Sequence, residues 1–240
     1  MMVDRFFHFT PSKNTAMVLL LGVLSVAASF AAGLSTSSFG FTLWRDLIQV
    51  ILLGILLPAF IMNREAAFVK AGIRFDRPLR YVLISTALGT LLFIQFALEP
   101  GTSLQPLNSN LLNGAVYVVV TNIFEIFFFT CFLRHYFEEA LGIVPAILLA
   151  AAAYSFHHAG FQPEYLKLFL VGLFFISIFR IANHWLVLFP LWWVGGLGDV
   201  LFRSPATMSV DWSGSWIKAV VILSVFIGVM IKLYPGRGTS

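Results

Sequence analysis

Charge is what this sequence has least of. Only 11% of its 240 residues are Asp, Glu, Lys or Arg, against about a quarter in an average soluble domain. With 59% apolar residues, too few polar groups remain to cover a water-facing body of this size. That excludes a soluble globular protein and makes lipid the solvent for most of the chain. Cysteine is almost absent: Cys131 stands alone, inside an apolar run. An internal disulfide and a cysteine metal site are therefore excluded. No long polar segment interrupts the sequence, so residues 1–240 form a single membrane domain. GxSxG, HExxH and a phosphate-binding glycine loop are all missing, which removes the common hydrolase, zincin and nucleotide-binding signatures. The net charge of +4 comes from basic residues scattered in short breaks between apolar runs. That distribution orients membrane helices and is not a nucleic-acid surface.

What is present is a series of apolar runs: Ala16–Gly33, Leu43–Met62, Tyr81–Leu98, Leu112–Phe137, Ile143–His158, Tyr165–Ile181, Trp185–Phe202 and Trp216–Tyr234. Most approach the ~20 residues that a helix needs to cross the hydrocarbon, and the fifth is short and alanine-rich. The expected fold is an all-α bundle of about eight transmembrane helices. The breaks carry suitable punctuation: a polar loop Asn63–Arg80, Glu99-Pro100-Gly101, Gly142 with Pro145, and Gly160 with Pro163. The first run has Lys13 before it and small residues at Ala27, Ala28, Ala31 and Ala32, as a signal peptide would. It is long enough to span, and an uncleaved first helix is the expectation. Basic residues set the orientation. One side holds Arg5, Lys13, Arg64, Lys70, Arg74, Arg77, Arg80, Arg134, Arg180, Lys232 and Arg237. The other holds Arg45, Lys167, Arg203 and Lys218. The first side, with both termini, is expected to be cytoplasmic.

Ionisable groups inside apolar runs are costly, and each one needs a reason. Glu125 lies in the fourth run and His158 ends the fifth. The point midway between them is Leu141-Gly142, the expected turn. In an antiparallel hairpin, residues equidistant from the turn share a depth, so Glu125 and His158 should face each other. Asn122 lies one helical turn from Glu125; Tyr154 and Ser155 lie one turn from His158. Alanines 150–153 would let the two helices approach closely. Such a pair can activate a water and re-protonate a leaving group, or it can simply fix helix register; spacing does not choose between them. Other ionisable residues read as structural. His157 is expected on a different face from His158, in packing or at the interface. Arg45, Asp46 and His184 are expected at the interface, and Glu138 and Glu139 in water. Asp199 is expected to pair with Arg203. The many phenylalanines are read as lipid-facing bulk and packing.

The segment Glu125-Ile126-Phe127-Phe128-Phe129-Thr130-Cys131 is similar to the EExxFRG motif of the CPBP family, also called Abi or type II CAAX prenyl protease-like intramembrane metalloproteases. Ile126, Thr130 and Cys131 replace its second glutamate, arginine and glycine. Tyr154 and His158 resemble the family's aromatic–x–x–x–His motif, and Phe169 with Gly172 its third region. The positions of the fourth motif, H-x-x-x-N, fall on Trp192 and Gly196. The resemblance covers about residues 112–200. It implies an eight-helix membrane fold and an intramembrane endopeptidase in which Glu125 and His158 activate water. It places Trp192 and Gly196 where a histidine and an asparagine would steady the oxyanion. Losing one such donor costs ~10²–10³ in rate, and the Trp192 indole N–H is a donor that could substitute. It also implies a hydrophobic or lipidated peptide substrate and a divalent metal such as zinc. One Glu and one His, however, fall short of the three protein ligands usual at catalytic zinc. Two other readings stand beside the protease: an inactive relative that binds peptides or membrane proteins, and a small transporter with Glu125 as proton carrier. The transporter ranks last, because no internal repeat is visible.

Overall fold

The computed structural model describes residues 3–99, 104, 106, 108–160, 162, 164–202, 212 and 214–234. Among the described residues there is no strand. Within them, seven helices are long and apolar enough to cross a membrane: α1 (Lys13–Gly33), α2 (Ser38–Arg64), α3 (Pro78–Leu98), α4 (Ser109–Leu141), α6 (Tyr165–Ala182), α7 (Trp185–Phe202) and α8 (Ser215–Leu233). An eighth, α5 (Ile143–His157), is apolar but shorter. The chain is an all-α, multi-pass membrane bundle, as its composition requires.

Local chemistry sets the helix starts. The Ser12 hydroxyl accepts the Thr15 N–H while the Thr15 hydroxyl accepts the Ser12 N–H, a reciprocal cap that opens α1. Asn108 Oδ1 accepts the Leu111 N–H at 2.8 Å and opens α4. Pro78 opens α3, where its missing N–H leaves no donor unpaired. Between α4 and α5 the chain reverses at Gly142, whose φ of 91° suits glycine and whose position leaves no room for a Cβ against the Phe6 carbonyl. The N-terminal segment closes this turn: the His8 and Thr10 N–H groups donate to the Leu141 and Ala140 carbonyls at the end of α4.

Helix α4 is the centre of the bundle, with 78% of its most apolar window buried, against 11% for α3 and 17% for α8. It is flanked by α5, α7 and α8, with α6 packed on α5 and α3 packed on α7. Gly172 of α6 lies so close to α5 that an added Cβ would sit 3.2 Å from Ala151 Cα, so small residues set the approach of α6 to α5. Both α2 and α4 contain stretches wound with i→i+5 hydrogen bonds, Thr42–Leu56 and Ile126–Leu133. The Leu57 N–H reaches the Leu52 carbonyl, and the Arg134 N–H reaches that of Phe129. Every residue from Ile126 to Leu133 is buried.

The structure revises several sequence expectations. The Asn63–Arg80 segment is not simply a polar loop, since Phe68, Ala71 and Ile73 are buried within it. His184 is buried rather than interfacial; its Nε2–H donates to the Asp76 carbonyl at 2.9 Å and its ring stacks on Tyr81. Glu138 is not free in water but bridges Arg134 of α4 (2.8 Å) and Arg180 of α6 (2.6 Å). Glu139 is more open and faces His135 at 3.5 Å. The phenylalanines divide as expected between packing and exposed positions: Phe124, Phe127, Phe128, Phe129, Phe132 and Phe179 are core side chains, whereas Phe30, Phe60 and Phe93 are exposed. The pair expected between Asp199 and Arg203 lies outside the described side chains, as do Pro100, Gly101 and Pro163 of the expected turns.

Candidate functional site

Glu125 sits midway along α4, and four groups converge on its buried carboxylate. The Trp192 indole N–H donates to Oε2 at 3.1 Å. Around Oε1 stand His157 Nε2 at 3.6 Å, His158 Nε2 at 3.7 Å and the Arg45 guanidinium at 4.0 Å. The hairpin centred on Gly142 thus brings Glu125 and His158 to one depth. The His158 ring is oriented by its own helix, since Nδ1 lies 2.9 Å from the Tyr154 carbonyl. A carbonyl only accepts, so Nδ1 carries a proton, and in the neutral imidazole the Nε2 lone pair faces Glu125.

Two residues assigned elsewhere belong to this cluster. His157 was expected on a different face, because neighbours on an ideal helix point ~100° apart. Helix α5 ends at His157, however, and His158 occupies the turn after it. At this helix end the two rings cross at 85°, 4.7 Å apart, and both Nε2 atoms come within 3.7 Å of the carboxylate. Arg45 was expected at the interface and is only 5% exposed. It lies on the widely wound part of α2, where faces assigned from 3.6 residues per turn do not apply. Gln49, also on α2, is fully buried and joins Arg45 to His157.

A second pair, of a buried carboxylate with a partly exposed lysine, lies nearer the start of α2 and α8. Asp46, also expected at the interface, accepts the Tyr117 hydroxyl at 2.5 Å and faces Lys218 Nζ at 3.4 Å. Arg45 with Glu125 and Lys218 with Asp46 balance two positive charges against two negative ones. A low-dielectric interior demands such a balance. The signal for these residues was present as Arg45-Asp46…Gln49, three polar groups inside an apolar run.

Glu125, His158, Arg45 and Trp192 of the cluster line a cavity of about 440 Å³. Its lining includes Glu125, His158, Asn122, Tyr154, Trp192 and Gly196 from the expected site. Apolar walls come from Leu92 and Phe96 of α3 and from Leu170, Phe174 and Phe175 of α6. Toward the ends of the helices away from the Asn63–Arg80 segment it is bounded by Gln162, Lys167, Ser215 and Lys218. Asn122 donates to the Trp192 carbonyl at 3.2 Å. Tyr154 meets His158 and Trp192 edge to face. Gly196 lies against Asn122, whose Nδ2 would be 2.6 Å from an added Cβ. Thr130 and Ser155 take other places. The Thr130 hydroxyl donates to the Ile126 carbonyl within α4, and that of Ser155 donates to the Tyr165 carbonyl at 2.6 Å, tying α5 to α6.

Glu125, His157 and His158 each offer a ligand atom, and these atoms lie within 4.8 Å of one another. The count of candidate metal ligands is therefore three, one more than the sequence suggested. No family model, curated protein or solved structure matches the chain.

Proposed function

We propose that the chain is a CPBP-like intramembrane endopeptidase in which Glu125 and His158 hold the attacking water at the cavity floor. The observation that carries this reading is the 3.7 Å approach of the His158 Nε2 lone pair to Glu125 Oε1 beneath an apolar cavity. Both atoms accept, so one water can donate a hydrogen to each and turn its own lone pair toward a peptide carbonyl. A water at ~2.8 Å from two acceptors, with its natural angle, holds them ~4.4 Å apart; a shift of less than an ångström achieves this. Glu125 then takes the water proton as the oxygen attacks the carbonyl carbon, and returns it to the leaving amine nitrogen. Neither Trp192 nor Gly196 supplies the oxyanion donor of the family pattern, because the indole N–H is given to Glu125 Oε2. We assign that role to Asn122, which lines the cavity and carries a second amide N–H beyond the one it gives to Trp192.

The apolar walls suit a hydrophobic or lipidated peptide as substrate. In the same reading the Asn63–Arg80 face and both termini are cytoplasmic. Hydrolysis of a labelled hydrophobic peptide by purified protein in detergent, compared with Glu125→Gln, tests the proposal. Turnover is expected to fall by at least ~10² when the base is removed, the lower range for general-base catalysis. Equal turnover by the two proteins would end it.

One observation favours a second reading. Glu125 is already surrounded by the Trp192 N–H, Arg45 and two imidazoles. A carboxylate so supplied can serve to lock helices around a peptide-binding cavity without chemistry. In that case peptide binding would survive with no hydrolysis in either protein.

A further inference from the structure

Three ligand atoms around one point invite a metal, and the distances suit one. Ligands ~2.1 Å from a tetrahedral zinc lie ~3.4 Å apart, and the imidazole–carboxylate separations are 3.6 and 3.7 Å. The hydrogen atoms decide otherwise. A histidine that binds metal through Nε2 must carry its proton on Nδ1 and give it to an acceptor. His158 does so, toward the Tyr154 carbonyl. His157 faces the opposite kind of group: its Nδ1 lies 2.6 Å from the amide nitrogen of Gln49.

The orientation of the Gln49 amide is fixed without reference to the imidazole. Its nitrogen lies 2.9 Å from the Ser25 carbonyl, which can only accept and takes one of the two N–H groups; the other points at His157, where Nδ1 at 2.6 Å and the carbonyl at 3.3 Å share it. Its oxygen takes the Arg45 N–H at 3.2 Å. Turning the amide over would set oxygen against two carbonyls and nitrogen against a guanidinium. Gln49 therefore donates to His157 Nδ1, and the His157 proton is on Nε2, directed at Glu125 Oε1.

We infer that His157 is a positioning residue whose tautomer is set by Gln49, so that its Nε2–H faces Glu125 Oε1 across 3.6 Å, longer than a hydrogen bond, and that the Glu125–His157–His158 cluster is for that reason not a divalent-metal site. The adjacent histidines are held in opposite tautomers on one carboxylate: His158 offers a lone pair and His157 a proton. The Arg45 guanidinium, 4.0 Å from the same oxygen, already supplies the positive charge that a metal would bring. Phe124 and Phe129 enclose the His157 ring at 5.4 and 5.0 Å between centroids, which keeps it from turning. The catalytic meaning of this arrangement rests on the proposed hydrolysis, but the tautomers and the metal exclusion do not.

The test therefore reads metal and tautomer, not turnover. Full-length protein in detergent micelles, labelled with ¹⁵N-histidine, should show His157 protonated at Nε2 and His158 at Nδ1. Titration with Co(II) should give no stoichiometric visible band from a tetrahedral site. In Gln49→Glu the new carboxylate accepts from His157 Nδ1, the Nε2 lone pair turns to the cluster, and Co(II) should bind about 10–100-fold more tightly than to the wild type. Two results would overturn the inference in the unaltered protein: one equivalent of Co(II) or Zn(II) bound by the wild type and lost in His157→Ala, or His157 protonated at Nδ1. A folded Gln49→Glu protein without gained affinity would remove the role of Gln49. If that variant does not fold, the wild-type spectrum and titration decide alone. A protein without peptidase activity would leave all these outcomes unchanged.

Discussion

The Arg45–Glu125 pair gives the most demanding test of how this bundle is held together. Both side chains are about 6% exposed and their charged atoms are 4.0 Å apart. At that distance, with an effective dielectric near 20, their attraction is about 4 kcal/mol. Desolvation offsets much of it, so the pair adds little net stability over a neutral one of similar shape. Breaking it is another matter, because the remaining ion stays buried without its counter-charge, at a cost of about 3–5 kcal/mol. Arg45→Met should lose stability in that range. It also removes the anchor of the Gln49 amide oxygen. Glu125→Gln should cost less, because Gln retains an oxygen for the Trp192 N–H and the Arg45 charge can turn toward the cavity that it lines. The double variant Arg45→Met/Glu125→Gln should be more stable than the sum of the single losses predicts, with a coupling of about 0.5–3 kcal/mol. Reversible denaturant unfolding in mixed micelles, followed by tryptophan fluorescence, gives the four free energies. Arg45→Met within about 1 kcal/mol of wild type, with additive single effects, would show that the pair does not hold the site and would refute the reasoning.

Trp192→Phe keeps the ring packing but removes the N–H donated to Glu125 Oε2, leaving a buried carboxylate oxygen without that donor; a loss of about 1–3 kcal/mol is expected in the same unfolding assay. Gly196→Asn should be destabilising despite restoring the family residue, because a Cβ there meets the Asn122 amide at 2.6 Å; combining it with Asn122→Ala should recover part of the loss, and no recovery would mean that the clash is not its cause. Lys70→Cys should resist an impermeant thiol reagent in intact cells and react after permeabilisation, as a cytoplasmic Asn63–Arg80 segment requires. Position 70 is exposed, whereas neighbouring Ala71 is buried, and native Cys131 is buried and should stay silent. Ready labelling of position 70 in intact cells would reverse the orientation.

Much of this protein was legible without coordinates. Composition demanded a membrane protein, and apolar runs near helix-spanning length made it a helical bundle, because hydrocarbon admits only helices and closed barrels. The breaks placed the helices, and the equal distances of Glu125 and His158 from the Leu141-Gly142 turn placed them at one depth. Those arguments rest on length and polarity, which are properties of the chain itself. What the sequence could not supply was direction about a helix axis wherever the winding departs from 3.6 residues per turn. Arg45 and Gln49 lie in such a stretch of α2, and His157 and His158 straddle the end of α5. Tertiary structure also decided which hydrogen-bonding group meets each imidazole. The Tyr154 carbonyl comes from the histidine's own helix, but the Gln49 amide comes from 108 residues away. A proton position on an imidazole depends on that partner and on nothing in the local sequence. The neighbouring histidines are indistinguishable as letters and opposite as chemical groups, because the fold presents an acceptor to one and a donor to the other.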